Sequence, residues 1–493
     1  MQLLMVLYLI AVCSIVPLYM NRGYYELGEA KASCFIAVSL CFFALYFLAL
    51  LSKNKDRTAY APVKKPEPMQ TPELCLYGTL LSGFLSFAFS VDKRTAFLGM
   101  EGWRCGFLSL LLMFFAAIVF SRLEKMPVWV AGLILLVPFF EFVLGITNRF
   151  GISIMSFGGA DSGYLATIGN INWYAGFLSV FVPLGVGIMF AQKPFSKLFF
   201  LSGIYVIPGI TAIFLQGSDG ALLIVIACYV LLAFISLTGT GRESLKRYLI
   251  QFFVLGMGMA AADLLLVLFG SLYTYEENLL TKLVSMRIGI VIMAAAFFLY
   301  RLVRLLEEIN VSYRQALIRR IILAAVAISS VLGIIVFYRS FSDEFGNGRG
   351  IIWRMCSDIF LGLSPWQKLV GVGQDCLYPY AMKDPAWNGS FFNVFGADVL
   401  TNAHCELLTV LIERGLIGAS LYLGLFISVI CNAFTAKEKE NAVTICILPV
   451  FSYFIYSQIS FSQMVSTPYV YILLGFSIAF TRKQKSRELR DGN

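Results

Sequence analysis

The chain has 493 residues, 59% of them apolar and only 14% charged, with a mean hydropathy of +0.79. Ordinary soluble domains carry about 25% charged residues, so the composition excludes a protein whose main solvent is water. The net charge of +9 needs no nucleic-acid partner, because most of it is explained below by membrane topology. Eleven cysteines without a C-x-x-C pair, and a single histidine, argue against a zinc site or a disulfide framework.

Apolar runs of about 18 to 22 residues recur along the whole length, each long enough as a helix to cross about 30 Å of hydrocarbon. The expected fold is an all-α polytopic membrane protein with about fourteen transmembrane helices, and twelve as the lower bound. The first pair lies near 2–20 and 33–52, and the opening run has neither a basic flank nor a small-residue cleavage site, so it reads as a retained helix. A Pro-rich stretch at 61–72 reads as a cytoplasmic linker that closes the first unit, 1–72. A transmembrane core follows over 73–338, with spans near 73–90, 105–121, 127–146, 173–191, 199–216, 220–237, 249–272, 286–303 and 321–338. A long extracytoplasmic loop, 339–414, precedes the twelfth helix, and 415–493 holds spans near 415–434, 442–460 and 467–481 with a basic tail.

Positively charged loops stay in the cytoplasm. Placing both termini there assigns most of the 38 Lys and Arg to the inner side, notably at 53–65, 301–320 and 482–490. Against that rule, Arg339, Arg349, Arg354 and Arg414 fall in or beside the long outer loop. Such a cluster suits an anionic ligand; the plainer explanation is that long loops translocate regardless of charge. Cys356 and Cys376 share this loop, so a disulfide between them is open.

Three outer segments are long or polar, at 91–104, 147–172 and 339–413, and sites concentrate in loops held by a rigid scaffold. The only histidine, His404, stands in Thr401-Asn402-Ala403-His404-Cys405-Glu406 where the loop re-enters the membrane. There it can act as a general base on a hydroxyl, or simply as an interfacial hydrogen-bonding residue. Glu413 lies nine positions on, about two and a half turns, which is the opposite face of a continuous helix. The two meet only if the chain breaks, and Gly415 permits a break; otherwise Glu413 and Arg414 form a solvated helix junction. Arg349 sits among Gly346, Gly348 and Gly350, and its guanidinium fork suits bidentate contact with phosphate oxygens. Arg104, Trp103, Trp173 and Tyr174 stand at two other helix mouths, where the aromatic residues read first as membrane-interface belts.

Taken together, these motifs resemble the O-antigen ligase and O-antigen polymerase superfamily of membrane glycosyltransferases. His404, Leu408, Glu413, Gly415 and Gly418 match the family's terminal motif; Gly348, Arg349, Trp353, Pro365, Gly371 and Gly373 match the segment before it; and Gly169, Asn170, Asn172, Ala175, Gly176 and Pro183 match an earlier one. The resemblance covers roughly residues 90–435. Two departures stand out: Cys405 where the family has Asn, and Ser218-Asp219-Gly220 where it has Ser-Arg-Gly.

The resemblance implies a GT-C-like helical fold and transfer of a glycan from an undecaprenyl-diphosphate carrier to an acceptor hydroxyl, on the outer face of the cytoplasmic membrane. His404 is then the base, with Glu413 or Asn402 orienting its ring. Arg349, helped by Arg104 or Arg354, binds the donor diphosphate, and Asn402, Asn172 and Ser218 contact substrate. No metal or other cofactor is expected; the partners are the lipid-linked donor, a glycan, lipid or protein acceptor, and membrane lipid. Ligase and polymerase are not separable from these residues. The rival class is a transporter or flippase of polysaccharide precursors, which would place ionisable groups near the bilayer midplane; Glu141 and Asp263 are the candidates.

Overall fold

The computed structural model describes residues 1–55, 69–123, 128–155, 157–238, 242–309, 341–396, 398–435 and 441–491, with single positions 320, 324 and 339. Among them the chain is helical almost throughout. In order come α1 (Gln2–Leu18), α2 (Leu27–Lys55), α3 (Thr71–Ala88), α4 (Lys93–Leu98), α5 (Phe107–Phe120) and α6 (Val128–Arg149). A two-stranded hairpin, β1 (Tyr164–Leu165) with β2 (Gly169–Asn170), leads into α7 (Ile171–Ala191). Then follow α8 (Lys197–Leu215), α9 (Leu222–Thr238), α10 (Arg242–Phe269), α11 (Leu279–Ser285) and α12 (Ile288–Glu308). The last group is α13 (Phe345–Gly362), α14 (Pro365–Val370), α15 (Leu377–Lys383), α16 (Pro385–Phe395), α17 (Glu406–Thr435), α18 (Asn441–Tyr456) and α19 (Thr467–Asp491).

Nine of the described helices are long and apolar enough to cross a membrane, and α1 and α5 are shorter apolar helices. Every expected span that falls on described residues coincides with a helix; the one at 321–338 lies, but for residue 324, outside them. Exposure agrees with a membrane setting. Ile290, Val291, Phe297 and Phe298 of α12 are 51% to 67% exposed, an apolar face of the kind that lipid or a packed partner covers. Conversely α7 is buried along nearly its whole length. It packs against α8 and α18, α18 in turn packs on α9 and α19, and α19 packs on α5. Thus α7 and α18 form the centre of the bundle, while α2 and α12 are peripheral.

Three helices start well before hydropathy suggests, one of them α10, at Arg242 rather than near 249. Helix α2 begins at Leu27 and carries Lys31 at 1% exposure, because its ammonium donates to the Pro17 and Tyr19 carbonyls left open at the end of α1. Helix α17 begins at Glu406, before the predicted start at 415, and its charged first turns are buried inside protein rather than lying at a solvated junction.

The segment 339–414 is not an irregular loop. Its described part forms four helices, α13 to α16, over a small apolar core of its own that includes Ile352, Cys356, Ile359, Leu377, Phe391 and Ile412. Cys356 and Cys376 are both buried in that core as free thiols, so the possible disulfide is not formed.

Candidate functional site

Local backbone chemistry places each side chain. Gly346, Asn347 and Gly348 all take left-handed conformations, with φ of 63°, 61° and 83°. Two glycines and an asparagine are the residues that accept this conformation most readily. The chain thereby doubles back, so that the amide of Ile351 donates to the carbonyl of Asp343, and Arg349 is turned inward at the start of α13.

Asn170 caps α7, its Oδ1 accepting from the amides of Asn172 and Trp173 at 3.0 Å each. The next residue it orders, Asn172, is a junction. Its Oδ1 accepts from Ser218 Oγ at 3.2 Å and from Arg349 Nη2 at 3.4 Å, while its carbonyl accepts from the Tyr456 hydroxyl at 3.1 Å. Three residues picked from sequence, Arg349, Asn172 and Ser218, therefore meet, although they lie on α13, α7 and the turn before α9. Arg349 donates otherwise only to the Gly346 carbonyl, and its buried Nε has no partner among the described residues. No carboxylate pairs with it there, and burial pushes its pKa down. A half-buried cation with an unused N–H is the feature from which anion binding is built.

The other two candidate arginines are neutralised. Arg104 Nε bridges Glu29 Oε1 at 2.8 Å, and Glu29 also accepts from the amide of Gly102 at 2.9 Å. Arg354 pairs with Asp343. Among the described residues, then, Arg349 alone of the three lacks a carboxylate partner.

His404 lies two residues before α17 with φ of 47°, a strained position for a side-chain-bearing residue. Asn402 Oδ1 accepts the His404 amide at 3.0 Å, and Trp353 Nε1 donates to the His404 carbonyl at 3.4 Å. Asn402 thus holds the backbone rather than the ring. The ring stands edge-on to Phe461 with centroids 5.0 Å apart, and Phe461 is fixed because Ser462 gives both its amide (2.7 Å) and its hydroxyl (2.6 Å) to Glu406. Burial first, and then the nearby positive charge of Arg349, push the imidazole down to about 4. At neutral pH His404 is therefore uncharged, with a lone pair available.

Glu413 makes no hydrogen bond with His404. The helix does break at Gly415, whose φ is 66° and ψ −172°, but the break lies beyond Glu413 and serves a different end. It frees carbonyls near it, and the segment Gly371-Val372-Gly373 takes them: Val372 and Gly373 donate to the carbonyls of Ile412 and Glu413 at 3.1 Å each. Ser86 of α3 donates to the same Glu413 carbonyl at 2.5 Å. A Cβ on Gly371 would stand 2.1 Å from the Glu413 oxygen, which is why this strand-like segment needs glycine. Here lies the physical meaning of a Gly-x-Gly pattern too short to be a nucleotide fingerprint.

The carboxylate of Glu413 faces a cavity between α5, α17 and α19, together with Asp375, Glu406 and Arg414. Asp375 Oδ2 accepts from the amides of Met100 at 2.6 Å and Cys105 at 3.2 Å, and burial pushes its carboxyl up to about 6. With Glu29 on one side and Asp375 on the other, the 99–106 turn is pinned and Trp103 is held edge-on to both Trp173 (5.3 Å) and Phe461 (5.1 Å). Sequence reading missed Phe461, Ser462, Tyr456, Glu406 and Asp375. The polar residues Ser457, Gln458, Ser460 and Ser462, at the end of one expected span and just past it, were the signal available for the stretch that holds the first three.

Glu141, a transporter candidate, is engaged: its carboxylate accepts from the Thr167 amide at 3.0 Å and hydroxyl at 2.5 Å. It is thus not isolated, and it ties the β-hairpin to α6. Among the described residues no cluster of three or more His, Cys, Asp or Glu could hold a metal ion. In comparison with known proteins, no family model matches the chain and no curated protein matches it significantly.

Proposed function

We propose that this protein is a glycosyltransferase of the O-antigen ligase or polymerase type, moving a glycan from an undecaprenyl-diphosphate carrier to an acceptor hydroxyl. In this reading the chain is GT-C-like with about fourteen spans, both termini are cytoplasmic, and the His404 end of the bundle faces outward from the cytoplasmic membrane. The observation that carries it is geometric: Arg349, a cation with no carboxylate partner among the described residues, meets Asn172 and Ser218, while Trp353 one turn further along α13 donates to the backbone of His404, the only histidine in the sequence.

The chemistry follows from Arg349 and His404. The donor diphosphate is drawn to Arg349, whose guanidinium already has Asn172 and Gly346 as neutral supports. Its negative charge offsets the Arg349 field at His404, so donor binding raises the basicity of the imidazole. The acceptor hydroxyl gives its proton to His404 as its oxygen forms the bond to the anomeric carbon. The carbon–oxygen bond to the carrier breaks, its electron pair leaves on the diphosphate, and Arg349 stabilises that charge without a metal. In-line displacement inverts the anomeric configuration.

The test uses the purified chain in liposomes with native lipid-linked glycan, following release of carrier diphosphate and product length in parallel. Transfer by the wild type, with loss of at least 100-fold in His404→Ala and Arg349→Ala, supports the reading. A product ladder denotes a polymerase and a single adduct a ligase. Full transfer by His404→Ala removes the assigned base, and movement of the lipid across the bilayer with no transfer replaces this reading with transport of the precursor.

A further inference from the structure

The cavity that Glu413 faces is separate from the Arg349 cluster and is built like a ligand site. Three of its side chains are more than nine-tenths buried and keep a polar atom without a partner among the described residues. They are Glu413 Oε1, Gln374 Oε1 and Arg414 Nη1, at 8%, 3% and 5% exposure. An orphaned buried polar atom costs about 1–3 kcal/mol, so three around one space are hard to maintain for packing alone. Aromatic side chains complete the lining, among them Trp103, Phe461, Tyr422 and Tyr471. Phe461 touches the His404 ring and Asn402 holds the His404 amide, so the cavity abuts the proposed base.

We propose that this cavity binds one uncharged monosaccharide unit of the acceptor, an inference that rests on the glycosyl-transfer reading. Sugar hydroxyls donate to carboxylate and amide oxygens and accept from a guanidinium, and the apolar C–H face of a pyranose lies against aromatic rings; Glu413, Gln374, Arg414, Trp103 and Phe461 supply that set. The cavity volume of about 70 Å³ equals that of about two waters in the liquid, so it takes the hydroxyl-bearing edge of the sugar unit rather than the whole ring. Three carboxylates, Asp375, Glu406 and Glu413, against the single guanidinium of Arg414 select against a uronic acid. Arg349 does not line the cavity, which assigns it to the acceptor rather than to the diphosphate-bearing donor.

The test is saturation-transfer NMR on the full chain in lipid nanodiscs, with methyl glycosides of glucose, galactose and N-acetylglucosamine and with methyl glucuronide as probes. At least one neutral glycoside is expected to bind in the millimolar range, tighter than the glucuronide. Gln374→Leu and Glu413→Gln should each weaken it about ten-fold or more. Binding that survives both substitutions, absence of binding by all three neutral glycosides, or preference for the glucuronide overturns the proposal. Transfer assays on the same preparations separate the two readings. Saccharide binding without any transfer keeps the cavity and removes the transferase, whereas transfer with an unchanged acceptor KM in Gln374→Leu removes the cavity and keeps the transferase.

Discussion

A solitary histidine makes the central claim about charge directly measurable. In a chain labelled at histidine only, His404 gives a single imidazole signal whose titration should lie well below the usual 6.5, near 4, since burial and Arg349 both disfavour the protonated ring. The acid limb of transfer should accordingly sit below pH 5 in kcat/KM, and removing the positive neighbour with Arg349→Gln should move the NMR midpoint upward. A midpoint unchanged by that substitution would show that Arg349 is too far away to act on the ring. The arginines also separate by stability. Arg349 is a half-buried charge without a carboxylate partner among the described residues, so Arg349→Met should leave the thermal midpoint unchanged or raise it while abolishing transfer. Arg104→Met strands Glu29 and should lower the midpoint, read by a thermal melt in detergent.

Elements are held in register by two backbone devices near the site. At Gly415 the positive φ combines with a site for Cβ only 2.3 Å from the Leu369 backbone, and Gly371 is as crowded against Glu413. Gly415→Ala and Gly371→Ala should each cost about 2–4 kcal/mol, visible as a lower denaturation midpoint; a loss under about 0.5 kcal/mol would mean that the break at Gly415 is soft. The second device is Asp375, which joins the 99–106 turn to the 371–375 segment. Asp375→Ala leaves two amides without their acceptor and should destabilise by about 1–3 kcal/mol, with Asp375→Asn retaining part of that. Both devices couple α17 to loops distant in sequence. That is why the helix start at Glu406 and the role of the Gly-x-Gly segment were not legible from hydropathy, which counts a charge as solvated whether or not protein buries it.

For the whole molecule, the exposed apolar face of α12 predicts contact with lipid. A spin label at Phe298 in reconstituted protein should collide with oxygen far more often than with a water-soluble nickel chelate; the reverse ratio would remove α12 from the lipid boundary. Sequence alone determined the helical class and put a helix at every expected span on described residues, nine of them long and apolar enough to cross a membrane, because an apolar run of membrane length has few alternatives once water is excluded. It also selected Arg349, Asn172 and Ser218, which do meet. Tertiary structure alone decided that Arg104 and Arg354 are neutralised, that Glu413 faces a cavity apart from the His404 ring, and that Phe461 supports that ring. Each of these depends on how the chain folds back on itself, onto Glu29 or Glu406 from distant segments or onto Asp343 across the turn at 346–348, and composition and periodicity carry no term for which charges a fold brings together.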